Sequence, residues 1–281
     1  MCACASAEPV DGASTGEQTA AGQTAAEPAA TAATALFAGV FDTLASWRAE
    51  ILDSLGTSAT PAALDDLVSR QVLPSLTEDG LLSGAGFIAS PDYVQGRGVH
   101  FAWWLGPLHD GPIFGSTREP TRLDLTTRGY ADYLRDVRGL EWYATPAATS
   151  RGHVTGPYVD HLCSCDYILT LTLPVLAATR VLGVVGADLA VRRIEREVLP
   201  SLLAADEPLA LVNADGRVIV SSEASVAPGS LMRHVPSGTP CAGTPLSVVA
   251  VRDESGADDV EPEVAAPEPT DNLSQESLQT G

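Results

Sequence analysis

The spacing of the apolar residues changes at Gly84, and that change decides the fold class. Upstream, Leu36, Phe37, Val40, Phe41, Leu44, Trp47, Ile51, Leu52 and Leu55 recur at helical spacing and make one apolar face. A long amphipathic helix is expected there. Thr60-Pro61 reads as the N-cap and first residue of a second helix, which runs to about Leu73 and ends at Pro74. Downstream the runs are short, alternating and β-branched: GFIAS near residue 88, VHFAWWL at 99–105, YILTLTL at 167–173 and VLGVVGADLAV at 181–191. Helical stretches are expected at 127–135, at 142–148, and in IEREVLPSLLA, which Pro200 interrupts. LALVNADGRVIVSS reads as a hairpin turning at Asn213-Ala214-Asp215-Gly216, and PLSVVAV as a last strand. The order describes an α+β fold, one antiparallel sheet with helices on its faces.

Residues 1–32 and 252–281 carry almost no large apolar side chain, so nothing there offsets the entropy of ordering, and both are expected to be disordered acidic tails. Between them the expected organisation is helices at 33–80, a ligand-binding body at 81–224, and a loop with a closing strand at 225–251. The formal charge is −20. Such a surface disfavours nucleic acid and anionic lipid and suits a cationic or zwitterionic partner. All 16 basic residues are arginine, which excludes Schiff-base chemistry on lysine and the lysine of a phosphate-binding P-loop. The opening MCACASAEPVDG lacks a basic and a greasy region, so the chain reads as cytoplasmic. The best apolar stretch, 168–178, is too short to span a bilayer and contains Pro174.

Five cysteines without an export signal are expected to be reduced. His161, Cys163 and Cys165 form the one metal-like cluster, though without the spacing of a structural zinc site. No histidine among His100, His109, His153, His161 and His234 sits in a nucleophile elbow, a zincin pattern or a kinase set. No cofactor is expected.

Residues 140–190 carry ordered elements: a Trp142-Tyr143 pair, then GPYVD at 156–160, a strand ending in Pro174-Val175, and GVVGADL at 183–189. This segment resembles the Cache family of sensor domains, relatives of the PAS fold, and VNADGRVIVSS resembles the first hairpin of the second module in double Cache proteins. The likeness covers about residues 80–223. It implies a PAS-like sheet with a long N-terminal helix, and a ligand pocket lined by Trp142, Tyr143, Tyr158, Asp160 and Asp188. It also implies a non-catalytic sensor, an amine or amino acid as ligand, a separate signalling or transport partner, and a homodimer through the N-terminal helix. Tyr133 adds a candidate aromatic wall.

The chemistry is coherent without the family, since an ammonium needs carboxylate acceptors and gains from aromatic faces. Amino-acid-binding members place an arginine two residues before the tryptophan, and here that position is Leu140. Arg138, two residues earlier, is the candidate replacement; without it the pocket favours a simple amine. The bland alternatives are core aromatics at Trp142, Tyr143, Trp103 and Trp104, and a strand-end Asp188 that caps the next helix. At the level of function, the alternatives are a metal-assisted enzyme using His161, Cys163 and Cys165, and an interaction domain with a degenerate pocket.

Overall fold

The computed structural model describes residues 14–251 apart from 97, 112–114, 124–138, 161–165 and 234, with backbone alone at 14–24 and 109–111. Helix α1 spans Ser14–Leu55 and α2 spans Pro61–Val72, followed by a 3-10 turn at Leu73–Ser75. Thr60 caps α2 by accepting from the Ala63 amide at 3.3 Å, with Pro61 at the first position, as its sequence predicts. The strands follow: β1 Leu82–Ala89, β2 His100–Leu105, β3 Leu108–Gly111, β4 Gly115–Thr117 and β5 Thr121–Arg122. Then come α3 Glu141–Thr149, β6 His153–Val159, β7 Tyr167–Ala177, β8 Arg180–Ala190 and α4 Val191–Leu203. The last elements are β9 Leu209–Val212, β10 Val218–Ser221, β11 Thr239–Pro240 and β12 Ser247–Ala250.

The main sheet is antiparallel in the order β5-β2-β1-β8-β7-β6. One of its faces is apolar: Ala85, Phe87, Leu169, Leu171, Val185, Ala187 and Leu189 are buried, each at 1% exposure or less. They share a core with Phe37, Val40, Leu44, Trp47 and Ile51 of α1 and with Leu64, Leu67 and Val68 of α2. Period-two side chains on the strands meet period-3.6 side chains on the helices, which is the packing that the change of spacing at Gly84 requires.

Three expectations are corrected. First, α1 begins at Ser14, inside the stretch expected to be a disordered tail, and Ala26, Ala29 and Ala30 are buried. These alanines extend the stripe of Phe37 and Val40 upstream at helical spacing, and Thr34 accepts a hydrogen bond from the Ala242 amide, 3.0 Å away. Second, the chain forms more than one sheet. The 209–221 hairpin joins β12 and β11 in a separate four-stranded sheet of order β10-β9-β12-β11, and β3 pairs with β4. The 225–251 segment is therefore built into that second sheet, where Val248 of β12 joins the main core and Val249 packs on the other face with Ala210, Val212 and Val218. Third, one helix, Ala25–Leu55, is long and apolar enough to cross a membrane by length and composition. Alanine adds to the hydropathy of its first half, and Phe37, Val40, Leu44, Trp47 and Ile51 face the core. The expected helix at 127–135 and the C-terminal tail lie outside the described residues.

Candidate functional site

The second face of the main sheet carries the polar chemistry, and its strand register aligns that chemistry in rows. One cross-strand row runs Leu105, Gly84, Asp188, Thr170 and Thr155. The next runs Trp103, Gly86, Gly186, Thr172 and His153, and a third places Phe101 beside Ile88, Val184 and Pro174. The face is aromatic at the β2 side, bare at the glycines and hydroxylated at β7 and β6.

Asp188 stands in the centre of this surface. It keeps partial solvent exposure while Ala187 and Leu189 on either side are at 0%. Thr170 donates to Asp188 Oδ1 at 2.6 Å, and the Tyr158 hydroxyl lies 2.6 Å from the same Thr170 oxygen. Burial among protein atoms, and then the charge of Asp160, push the Asp188 carboxyl up to about 8, against the pull of the Thr170 hydrogen bond. The group is thus largely neutral at pH 7, and a cation brought to it would ionise it. Capping is overturned as the explanation for Asp188: α4 is N-capped at Ala190, with no side-chain cap bond.

The glycines of β1 and β8 make room for Trp103. A Cβ at Gly84 would lie 3.0 Å from Trp103 Nε1 and 3.2 Å from Asp188 Oδ2, so the indole N–H and the carboxyl converge over that position. A Cβ at Gly186 would meet Thr172 Cγ2 at 3.0 Å and Trp103 Cη2 at 3.5 Å, so the same indole also reaches across to β8. Trp103 clusters with Tyr143, Ile88, Leu105 and Val184, and Trp142 packs against that cluster from α3. The Trp142 and Tyr143 rings meet edge to face, with centroids 6.3 Å apart and planes at 79°.

The structure therefore brings Tyr158, Asp160 and Asp188 together electrostatically or through Thr170, and sets Trp142 and Tyr143 against Trp103 on the same face. Tyr133 and Arg138 lie outside the described residues, as do His161, Cys163 and Cys165. Among the described residues no group of three His, Cys, Asp or Glu side chains is placed to hold a metal. Sequence reasoning set Trp103 aside as a core aromatic and missed Thr155, Thr170 and Thr172. The available signals were Gly84 and Gly86 on one strand with Gly186 on its neighbour, and the Thr-Leu-Thr-Leu alternation of β7.

A groove of about 430 Å³ lies on the opposite side, between Ala35, Leu36 and Gly39 of α1 and Ser75, Leu81 and Leu82. It is mostly apolar and has no ionisable group on its walls, whereas the Asp188 surface has a perturbed carboxyl and convergent hydroxyls.

Residues 101–196, which include Trp103, Thr170 and Asp188, match the family model of the methyl-accepting chemotaxis protein-like first PDC sensor domain. Several solved structures share the fold. The ligand-binding domain of the Pseudomonas fluorescens chemoreceptor CtaA, in complex with L-valine, is 16% identical with a TM-score of 0.53, covering 85% of this chain and 99% of that one. The ligand-binding domain of the Pseudomonas aeruginosa PAO1 amino acid chemoreceptor PctC, in complex with GABA, is 18% identical with a TM-score of 0.52, covering 83% and 100%. That of PctB from the same organism, in complex with L-Arg, is 17% identical with a TM-score of 0.51, covering 80% and 79%. The mixed fold, with its long N-terminal helix laid along an antiparallel sheet, is that of the PDC, or Cache-type, sensor domains.

Proposed function

We propose that this chain is a non-catalytic sensor that binds a small ligand through its ammonium group and reports to a separate signalling partner. One observation carries the reading: Asp188 keeps partial exposure at the centre of the sheet, its carboxyl backed by Thr170 and Tyr158 and flanked by Trp103. An ammonium placed there gains a charge-assisted hydrogen bond of about 1.5–3 kcal/mol. An adjacent aromatic face adds about 0.5–2 kcal/mol. The solved neighbours named above are in complex with L-valine, GABA and L-Arg, each of which carries an amine, and this supports a ligand bearing one. Leu140 stands where amino-acid binders carry arginine, which favours an amine over an α-amino acid unless Arg138 supplies the carboxylate clamp.

The signal has a physical route. Asp188 lies two residues before the cap of α4, and its backbone carbonyl accepts from Ser83 Oγ at 3.0 Å. Buried Arg193 of α4 donates to the Leu82 carbonyl, next to Ser83, and to the Glu78 carbonyl at 3.2 Å. A shift of strand β8 on ligand binding is thereby coupled to α4. Thermal unfolding against amines, amino acids and small carboxylates tests the proposal, with Asp188→Asn as control. A ligand at about 100 times its dissociation constant stabilises by roughly 2.7 kcal/mol. Stabilisation by amines that vanishes in the variant upholds the proposal, and no response across the panel defeats it.

A further inference from the structure

Two hydroxyls on the same face have no hydrogen-bond partner among the described residues: Thr155 Oγ1 and Thr172 Oγ1. They are buried, at 7% and 0% exposure, and buried hydroxyls in folded chains are almost always bonded. Their placement is informative. Thr155 is directly across from Thr170, which holds Asp188, and Thr172 is two residues further along β7. The two are therefore diagonal neighbours on adjacent strands, with Cα atoms roughly 7–8 Å apart, and can converge on one atom between them. Leu171, between Thr170 and Thr172, points to the α1 side and is completely buried, so both threonines face the site. The Thr172 methyl takes the flank toward Gly186, which leaves its hydroxyl turned elsewhere.

We infer that the ligand is an amino alcohol, or another amine bearing a neutral oxygen, with its nitrogen at Asp188 and its oxygen held by Thr155 and Thr172. This rests on the amine-binding reading above. The spacing fits a linker of about three carbons, given bonds near 1.5 Å and about 6.7 Å between alternate residues of a strand. A carboxylate fits less well. Among the described residues, the ionisable groups coupled at the site are the acids Asp188 and Asp160, and His153 is already engaged with Glu141 at 2.8 Å. Threonine hydroxyls can donate to or accept from a neutral oxygen without leaving a buried charge unbalanced.

Calorimetry on the full chain with three probes decides it: 3-aminopropan-1-ol, n-butylamine, which carries a methyl in place of the hydroxyl, and 4-aminobutanoate. The amino alcohol is expected to bind about five-fold tighter than n-butylamine. Thr155→Val and Thr172→Val should each erode that preference while leaving n-butylamine within about two-fold. Without ligand, neither variant should melt below the wild type, because a hydroxyl without a partner is removed at constant shape. Equal binding of the alcohol and n-butylamine overturns the inference, as does tightest binding of 4-aminobutanoate or a lowered Tm in both variants. If n-butylamine binds and Asp188→Asn abolishes it, the amine-binding reading stands whatever the hydroxyl does. If none of the three binds, both fall.

Discussion

Thr170 donates its hydroxyl proton to Asp188 Oδ1 at 2.6 Å, and this fixes the direction of the bond behind it. With its one proton given to the carboxyl, Thr170 can only accept from Tyr158, 2.6 Å away. The resulting chain, Tyr158 to Thr170 to Asp188, crosses β6, β7 and β8 and is oriented to stabilise a carboxylate. Burial and Asp160 oppose it and keep the group protonated until about pH 8. A cation brought to this carboxyl would therefore shift it toward its ionised form.

Stability should therefore fall as pH rises across Asp188's titration. Unfolded, the group loses its proton near 3.8; folded, it holds the proton to about 8. Between those values the folded chain binds more protons, so its stability drops by up to about 1.4 kcal/mol per pH unit from this group. Its contribution is fully present below pH 4 and lost by pH 8. Asp188→Asn removes the titration at nearly constant shape, so urea unfolding from pH 5 to 8 should give a flatter profile for the variant. Parallel profiles would show that Asp188 titrates normally.

Gly84→Ala should damage the site more than the fold. Its methyl would meet Trp103 Nε1 at 3.0 Å and Asp188 Oδ2 at 3.2 Å, close enough to displace the indole from the carboxyl. Overpacking of this kind costs about 1–3 kcal/mol. Ligand affinity should fall by more than the stability loss implies, because the two displaced groups are the ones that flank the ammonium position. Denaturation and calorimetry on the same variant separate the effects, and unchanged affinity would remove Trp103 from the site.

The alternation of large apolar residues made most of the fold legible, and the misreadings fall where size fails as a signal. Ala26, Ala29, Ala30 and Ala33 are a buried helical stripe, but alanine buries too little surface for composition to reveal it. The second sheet was hidden because β9, β10 and β12 have the same character as the strands of the first, and register cannot be read from one strand alone. At the site, Asp188 stood out as a charge in an apolar strand, whereas Thr170 and Thr172 look like ordinary β-formers. What distinguishes them is their alignment with Asp188 and Gly186, set by pairing across β7 and β8.

Asn213 should tie the two sheets together. Its Oδ1 accepts from the Asp215 and Arg217 amides at 3.0 and 2.8 Å, closing the turn, while Nδ2 donates to the Gly156 carbonyl of β6 at 2.9 Å. Asn213→Ala loses all three bonds and should cost about 1–3 kcal/mol. Asn213→Asp keeps the turn acceptors but sets a carboxylate oxygen against the Gly156 carbonyl in place of the donor, so a smaller loss than alanine's would assign most of the effect to the turn. Equal losses in urea melts would assign the whole effect to the link with β6.

Ligand binding should release a proton, and this is the sharpest solution test of the site. At pH 7 Asp188 is mostly protonated, and an ammonium stabilises only the ionised carboxyl, so complex formation expels the proton to buffer. Binding heats measured in buffers of different ionisation enthalpy should then differ by that enthalpy times nearly one proton. Affinity should rise about tenfold per pH unit between pH 6 and 8, where deprotonation limits binding. It should level off above 8 and decline once the amine itself loses its proton, near pH 10. In Asp188→Asn the buffer dependence should vanish along with most of the affinity. An amine that binds the wild type with the same heat in every buffer would place its nitrogen elsewhere, because no neutral carboxyl would then be giving up its proton to receive it.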